Sequence, residues 1–144
     1  MTPSDLFQIC NTVVLPAWLL LIFAPRWKWT PRIVLTGIVI FLCIVYAIGL
    51  TEAIEKGGLD LTSFGSLPNV MELFTEASSV LIGWVHYLAF DLVVGWFIVK
   101  NAEKHGINQW LVAPCLLFTF MLGPVGFLLY WIIRTVKTKQ YWPN

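Results

Sequence analysis

Long uncharged apolar runs alternate with short polar links along this chain, and four of the runs, Leu6 to Ala24, Ile33 to Thr51, Ala77 to Val99 and Asn108 to Ile133, are of membrane-spanning length. An α-helix rises about 1.5 Å per residue, so about 20 apolar residues cross a hydrocarbon core about 30 Å thick. The pattern predicts one all-α integral membrane domain over residues 1–144, a four-helix bundle with helices over about 6–24, 33–51, 77–99 and 108–133. The first run is not a signal peptide on this reading. Met1-Thr-Pro-Ser-Asp5 carries an acid and no base, and Pro25-Arg-Trp-Lys28 supplies no small-residue cleavage site.

The links complete the prediction. Arg26 to Arg32 is short, basic and carries Trp27 and Trp29, as expected at a headgroup boundary, so helices 1 and 2 form a tight hairpin. Glu52 to Thr75 is the long polar stretch, with Glu52, Glu55, Lys56, Asp60 and Glu72 and a break at Gly57-Gly58. Ser66 to Glu72 reads as a helix start, with Asn69 and Glu72 at the spacing of a capping box, which makes this a short, partly helical acidic loop. Gly123-Pro-Val-Gly126 interrupts helix 4, because proline removes a backbone hydrogen bond. It reads either as a packing kink or as backbone brought close to a ligand.

With four crossings, Arg26, Lys28, Arg32, Lys100 and Lys104 share one side of the membrane, and Lys56, Arg134, Lys137 and Lys139 the other. Such an even split gives the positive-inside rule nothing to act on. Only the acidic second loop inclines the reading toward both termini outside.

Composition narrows the function. The chain is 58% hydrophobic and 12% charged, too apolar for a soluble domain. Its net charge of +1, without a basic block, argues against a nucleic-acid partner. Cys10, Cys43 and Cys115 lie inside apolar runs with no paired spacing and read as small packing residues. A metal site needs three or four converging ligands, and one intramembrane histidine offers too few. His105, in a polar link, reads as solvated. No nucleotide loop or nucleophile elbow is present, so neither metal nor cofactor is expected.

Ionisable groups at membrane depth are costly and mark function by default, which makes Gly83-Trp-Val-His-Tyr-Leu-Ala-Phe-Asp91 the informative segment. Five positions separate His86 from Asp91, about 140° around a helix and about 7.5 Å along it. Two stripes follow: Glu76, Ser79, Gly83, His86 and Phe90 on one, Trp84, Tyr87, Asp91 and Gly95 on the other. They could flank one groove from two sides. A carboxyl in apolar surroundings favours its neutral, proton-carrying form, and imidazole is the natural acceptor near neutral pH. His86 and Asp91 are accordingly the candidate catalytic pair, with Trp84, Tyr87, Asn11 and Glu76 as candidate substrate contacts. The competing reading gives His86, Asp91 and Asn11 interhelical hydrogen bonds and no chemistry. Intramembrane aromatics such as Trp18, Phe90, Trp96 and Phe120 either pack the core or line a site for a flat isoprenoid.

Three patterns together carry a family resemblance: Phe7 through Leu15-Pro-Ala-Trp18 with Ala24-Pro-Arg-Trp27; Gly83 through Asp91; and Pro114 through Gly123-Pro-Val-Gly126. They resemble the abscisic acid-deficient, neoxanthin synthase-like family of small membrane proteins over nearly the whole chain. The resemblance implies four membrane helices and, in plants, conversion of violaxanthin to neoxanthin, in which an epoxide opens and an allene forms. It inclines the reading toward an intramolecular isomerase on a carotenoid or related isoprenoid. Asp91 would protonate the epoxide oxygen while His86 removes a proton from the adjacent polyene carbon, or the reverse. Starting at helix 1 without a plastid-targeting extension, the chain is more similar to short bacterial relatives, which implies a multi-pass protein of a bacterial inner membrane. Two alternatives stand beside the enzyme: a non-catalytic lipid- or carotenoid-binding accessory protein, and a small, oligomeric transporter subunit that uses Asp91 and the kink at Pro124. Membrane lipid or an isoprenoid is the expected partner, with a homo-oligomer also open.

Overall fold

The computed structural model describes residues 2–57 and 61–141, and every regular element among them is helical. Gly58 and Asp60, assigned above to the second loop, lie outside the described residues.

Helix α1 spans Pro3–Phe23 and starts three residues earlier than its apolar run. The Thr2 hydroxyl accepts from the Asp5 amide at 3.2 Å, and the Asp5 carboxylate accepts from the Thr2 amide at 2.9 Å, with Pro3 in the first turn. Two donors left over at a helix start are thereby satisfied. The helix stops at Ala24, ahead of Pro25, and the Thr30 hydroxyl donates to the Ala24 carbonyl at 2.7 Å to close the turn. Helix α2 covers Arg32–Glu55, its first part, Arg32–Val39, wound as a wider π-helix. A 3₁₀ turn, Leu61–Phe64, leads into the seven-residue α3, Leu67–Leu73. Ser66, not Asn69, caps α3: its hydroxyl accepts from the Asn69 amide, and the Asn69 side-chain amide donates to the Thr62 carbonyl at 3.0 Å. The Asn69–Glu72 capping box therefore does not form, because the helix begins a full turn earlier.

Helix α4, Ala77–Lys104, is the central element. It runs past its apolar limit at Val99 to Lys104, with Lys100 and Glu103 paired at 2.7 Å in the last turn. Helix α1 runs parallel to it: Phe7 and Asn11 meet Trp84, and Trp18 meets Gly95. Helix α2 runs antiparallel, with Tyr46 against His86 and Gly49 against Ile82. Lipid gives helices no hydrophobic reason to associate, so close packing at small residues must hold them. At Gly95 an added Cβ would meet the Trp18 ring at 2.8 Å. These three helices, of 21, 24 and 28 residues, are long and apolar enough to cross a membrane, and this is a membrane protein.

The fourth predicted helix is two helices, α5 over Gln109–Leu122 and α6 over Pro124–Thr138. Between them Gly123 takes φ 43° and ψ −93°, a conformation that L side chains rarely adopt. The break is a reversal and not a kink. Gln109 at the start of α5 donates its side-chain amide to the Leu21 and Ile22 carbonyls at the end of α1, at 3.0 and 3.1 Å. Phe120, a turn before the break, packs on Trp18, and Gly123 sits against Asp91, halfway along α4. Helix α6 then returns: Phe127 packs on Phe97, the Tyr130 hydroxyl donates to the Asn101 side-chain carbonyl at 2.6 Å, and Arg134 reaches His105 at 3.4 Å. Gly126 lies so close to Thr119 and Cys115 of α5 that no side chain fits between the two helices. With 14 and 15 residues, each arm is about 21 to 23 Å long, short of a full crossing.

Candidate functional site

Helix α4 carries both predicted stripes, and they face different neighbours. On the α2 side, Ser79, Gly83 and His86 line an apolar cavity of about 290 Å³ with Tyr46 and Leu50 of α2 and Phe74 beyond α3. Phe74 enters because Gly83 has no side chain: a Cβ there would lie 2.7 Å from its ring. The His86 imidazole stacks on Phe90 one turn along, centroids 4.6 Å apart, and stands 5.5 Å from the Tyr46 ring. His86 is exposed at the chain surface. It borders the cavity with one edge and lipid with the other.

The second stripe faces α1 and the hairpin. The Trp84 indole donates to the Asn11 side-chain oxygen at 2.9 Å, Phe7 packs on Trp84, and Trp84 packs on Tyr87. Asn11, a half-buried amide of α1, thus has its partner. Farther in, the Tyr87 phenol interacts with the Asp91 carboxyl one turn along. Asp91 is 8% exposed, and its Oδ2 atom has no hydrogen-bond partner in the protein. Its Oδ1 points at Gly123, where an added Cβ would lie 2.7 Å away. The glycine conformation that reverses the hairpin is also what lets the reversal approach the carboxyl.

Because α5 and α6 turn back at Asp91, they cover only the Lys104 half of that face of α4. Beyond the tip, toward the α4 start, Trp84 and Phe90 remain exposed and Tyr87 half-buried. Going round the helix from His86 to Asp91 one passes Phe90, Gly83 and Tyr87, so this arc is an aromatic surface floored by Asp91. Two side chains 140° and five positions apart on one helix lie roughly 13 Å from each other. His86 and Asp91 therefore frame opposite edges of the arc and are not in contact, and each has other partners. Glu76 lies outside both: it occupies the N-cap position of α4 and lines a polar recess of about 600 Å³ with Glu72 and Asn69.

Sequence reasoning singled out Gly123 within the interruption, as a kink or as backbone close to a ligand, but not as a neighbour of Asp91, and it passed over Tyr130, Asn101, Gln109 and Arg134 as anchors of the hairpin. Arg134 is fully buried, donates to the Gln140 carbonyl at 3.2 Å and stacks its guanidinium on Trp131 at 4.9 Å. A polar residue recurring on the inward face of an apolar run was the available signal.

Comparison with known proteins assigns the family. A family model described as ABA DEFICIENT 4-like matches residues 5–130, from the first turn of α1 to the middle of α6. The curated protein ABA DEFICIENT 4, chloroplastic, of Arabidopsis thaliana is 21% identical over 145 residues, covering 96% of this chain. This chain spans 64% of the length of that relative. No solved structure matches. The match runs through α1, the Gly83 to Asp91 segment and the hairpin tip, and the chain belongs to the ABA DEFICIENT 4-like family.

Proposed function

We propose that the protein is a membrane-embedded isomerase that opens an epoxide on a carotenoid or related isoprenoid, with the substrate lying against the aromatic arc of α4 above the hairpin tip. The observation that supports this most is Asp91: a buried carboxyl at mid-helix with one oxygen lacking a protein partner, beside a surface of Trp84, Tyr87 and Phe90 open to lipid. An apolar polyene enters such a surface sideways and needs no aqueous channel. The family match supports the substrate class.

The spacing of roughly 13 Å argues for a single carboxyl doing both proton transfers. Neutral Asp91 gives its proton to the epoxide oxygen as the carbon–oxygen bond breaks. The same oxygen, Oδ2, now bare, takes the proton from the adjacent polyene carbon as the new double bond forms. The carboxyl ends as it began, and the product is an isomer of the substrate, so no oxidant, reductant or cofactor enters. Tyr87 holds the carboxyl, while His86 and the Tyr46 side of its cavity take a ring end of the substrate. General acid–base groups contribute about 10² to 10⁴ in rate. The alternative, a binding or accessory protein, is favoured by the separation of His86 from Asp91.

The test is expression in a heterologous host that accumulates violaxanthin, with pigments separated by chromatography. Allenic product from wild type, lost in Asp91→Asn and only reduced in His86→Ala, supports the single-carboxyl isomerase. Equal loss in both variants would restore a two-residue mechanism. Unchanged pigment from well-expressed wild type would remove violaxanthin as substrate and favour the binding role.

A further inference from the structure

The hairpin changes the topology of the chain. If α5 and α6 formed one helix, the two termini would share a side. Folded back at Gly123, they leave the start of α1 at one end of the bundle and Arg134 beside His105 at the other. The positive charges then sort sharply. Arg26, Lys28 and Arg32 follow α1, Lys100 and Lys104 end α4, and Arg134, Lys137 and Lys139 end α6, all at one end. Of the nine lysines and arginines, only Lys56, after α2, is at the opposite end. That end instead holds Asp5, Glu52, Glu55, Glu72 and Glu76.

We infer that the protein is inserted with three crossings and one re-entrant hairpin. The end bearing Arg26, Lys104 and Lys137 faces the compartment from which the chain is inserted, and the N-terminus lies on the far side. Lys and Arg flanking short links set orientation, and acids contribute little, so the eight bases against one decide the sign. The same end carries an interfacial belt that fits this placement: Arg32 and Lys28 over Trp29 at 5.0 and 5.9 Å, and Lys100 over Trp96 at 4.8 Å. Non-helical backbone at membrane depth is tolerated only where protein buries it, and Gly123 is buried between the hairpin and α4. A consequence follows for the site. Asp91 sits at the middle of α4, and the His86 cavity and the Trp84–Tyr87 surface lie on its N-terminal side. Both open within the leaflet away from the insertion compartment, so a lipid-borne ligand is taken from that leaflet.

Cysteines introduced one at a time into the wild-type chain report the arrangement in intact cells of a bacterial expression host, using a membrane-impermeant maleimide before and after permeabilisation. Ser4→Cys and Ser78→Cys mark one end, Trp27→Cys and Gln140→Cys the other; all four positions are exposed. Wild type is the control, since Cys10, Cys43 and Cys115 lie inside α1, α2 and α5. The expected result is labelling of Ser4→Cys and Ser78→Cys in intact cells, with Trp27→Cys and Gln140→Cys labelled about tenfold less until the membrane is opened. Reporter fusions at the C-terminus, one fluorescent only inside and one enzymatic only outside, repeat the reading in the wild-type chain. Ser4 and Gln140 on the same side would overturn the hairpin. Opposite sides with Gln140 outside would overturn the orientation.

Discussion

The two halves of α4 are built differently. From Asp91 to Lys104 it is enclosed by α1, the first part of α2 and the hairpin, and Leu92, Gly95, Ile98, Val99 and Ala102 are all buried. From Ala77 to Phe90 it has α1 on one side and the end of α2 on the other, with only Val85, Leu88 and Ala89 buried. The first half is held by contacts that leave no slack: Gly95 under Trp18, Gly126 under Thr119 and Cys115, and Tyr130 bonded to Asn101. The second is lined by Phe90, Trp84 and Phe74, large apolar groups that stay exposed. Rigid support thus ends where the carboxyl begins, and the groups offered to a ligand stand on the looser half.

Glycine substitutions break this comparison most forcefully. Gly126→Ala places a methyl into the backbone of α5, which cannot retreat without opening the hairpin, and overpacking of that kind costs about 3 kcal/mol. Gly83→Ala meets only the Phe74 ring, a side chain free to swing toward lipid, and costs less than about 1 kcal/mol. Thermal unfolding in one detergent should therefore lower the midpoint strongly for the first and little for the second. Similar shifts would mean that the two halves are equally packed. Next in size is Asp91→Asn, which keeps the volume of the side chain. Its expected signature is a fall in isomerisation of about 10² or more with the unfolding midpoint nearly unchanged. A large loss of stability would instead make Asp91 a structural ligand of the hairpin.

The three long spans and the two faces of α4 were legible in the sequence, because hydropathy and the 3.6-residue period report length and facing directly. The hairpin was not, since hydropathy measures how apolar a run is and carries no direction. Two arms of 14 and 15 residues add up to the length of one spanning helix with a proline in it. What distinguishes them is the tolerance for φ 43° at Gly123 and the missing side chain at Gly126, and neither is visible in a hydropathy trace. The charge count inherited that error: with Arg134, Lys137 and Lys139 assigned to the wrong end, an asymmetric chain looked balanced. The start of α3 failed differently. Ser66 and Asn69 both suit a cap, and the choice fell to Ser66 because Asn69 bonds back to Thr62.

A smaller effect tests the α1 side of the looser half. Trp84→Phe removes the indole donor to Asn11 but keeps an aromatic face beside Tyr87. Interhelical hydrogen bonds in membranes are worth about 0.6 to 1.7 kcal/mol, so a midpoint decrease of a few degrees is expected, with product formation retained. Loss of product without loss of stability would mean that the substrate needs the indole itself and not only an aromatic face at this position.

The smallest effect belongs to the closed end, at His105. Partial burial, the Arg134 guanidinium and the Lys104 ammonium all hold its imidazole below the usual histidine range. A histidine depressed by folding favours the neutral form in the native state, so its contribution is fully present above the unfolded value of about 6.5 and is lost as pH falls through the folded value. Wild type should lose stability between pH 7 and pH 5, and His105→Gln should lose less over the same interval. Because His105 is solvent-accessible, the difference is small and shrinks with added salt. Parallel pH profiles for the two proteins would mean that Arg134 is held at the α4 terminus by Trp131 and the Gln140 carbonyl without help from the imidazole.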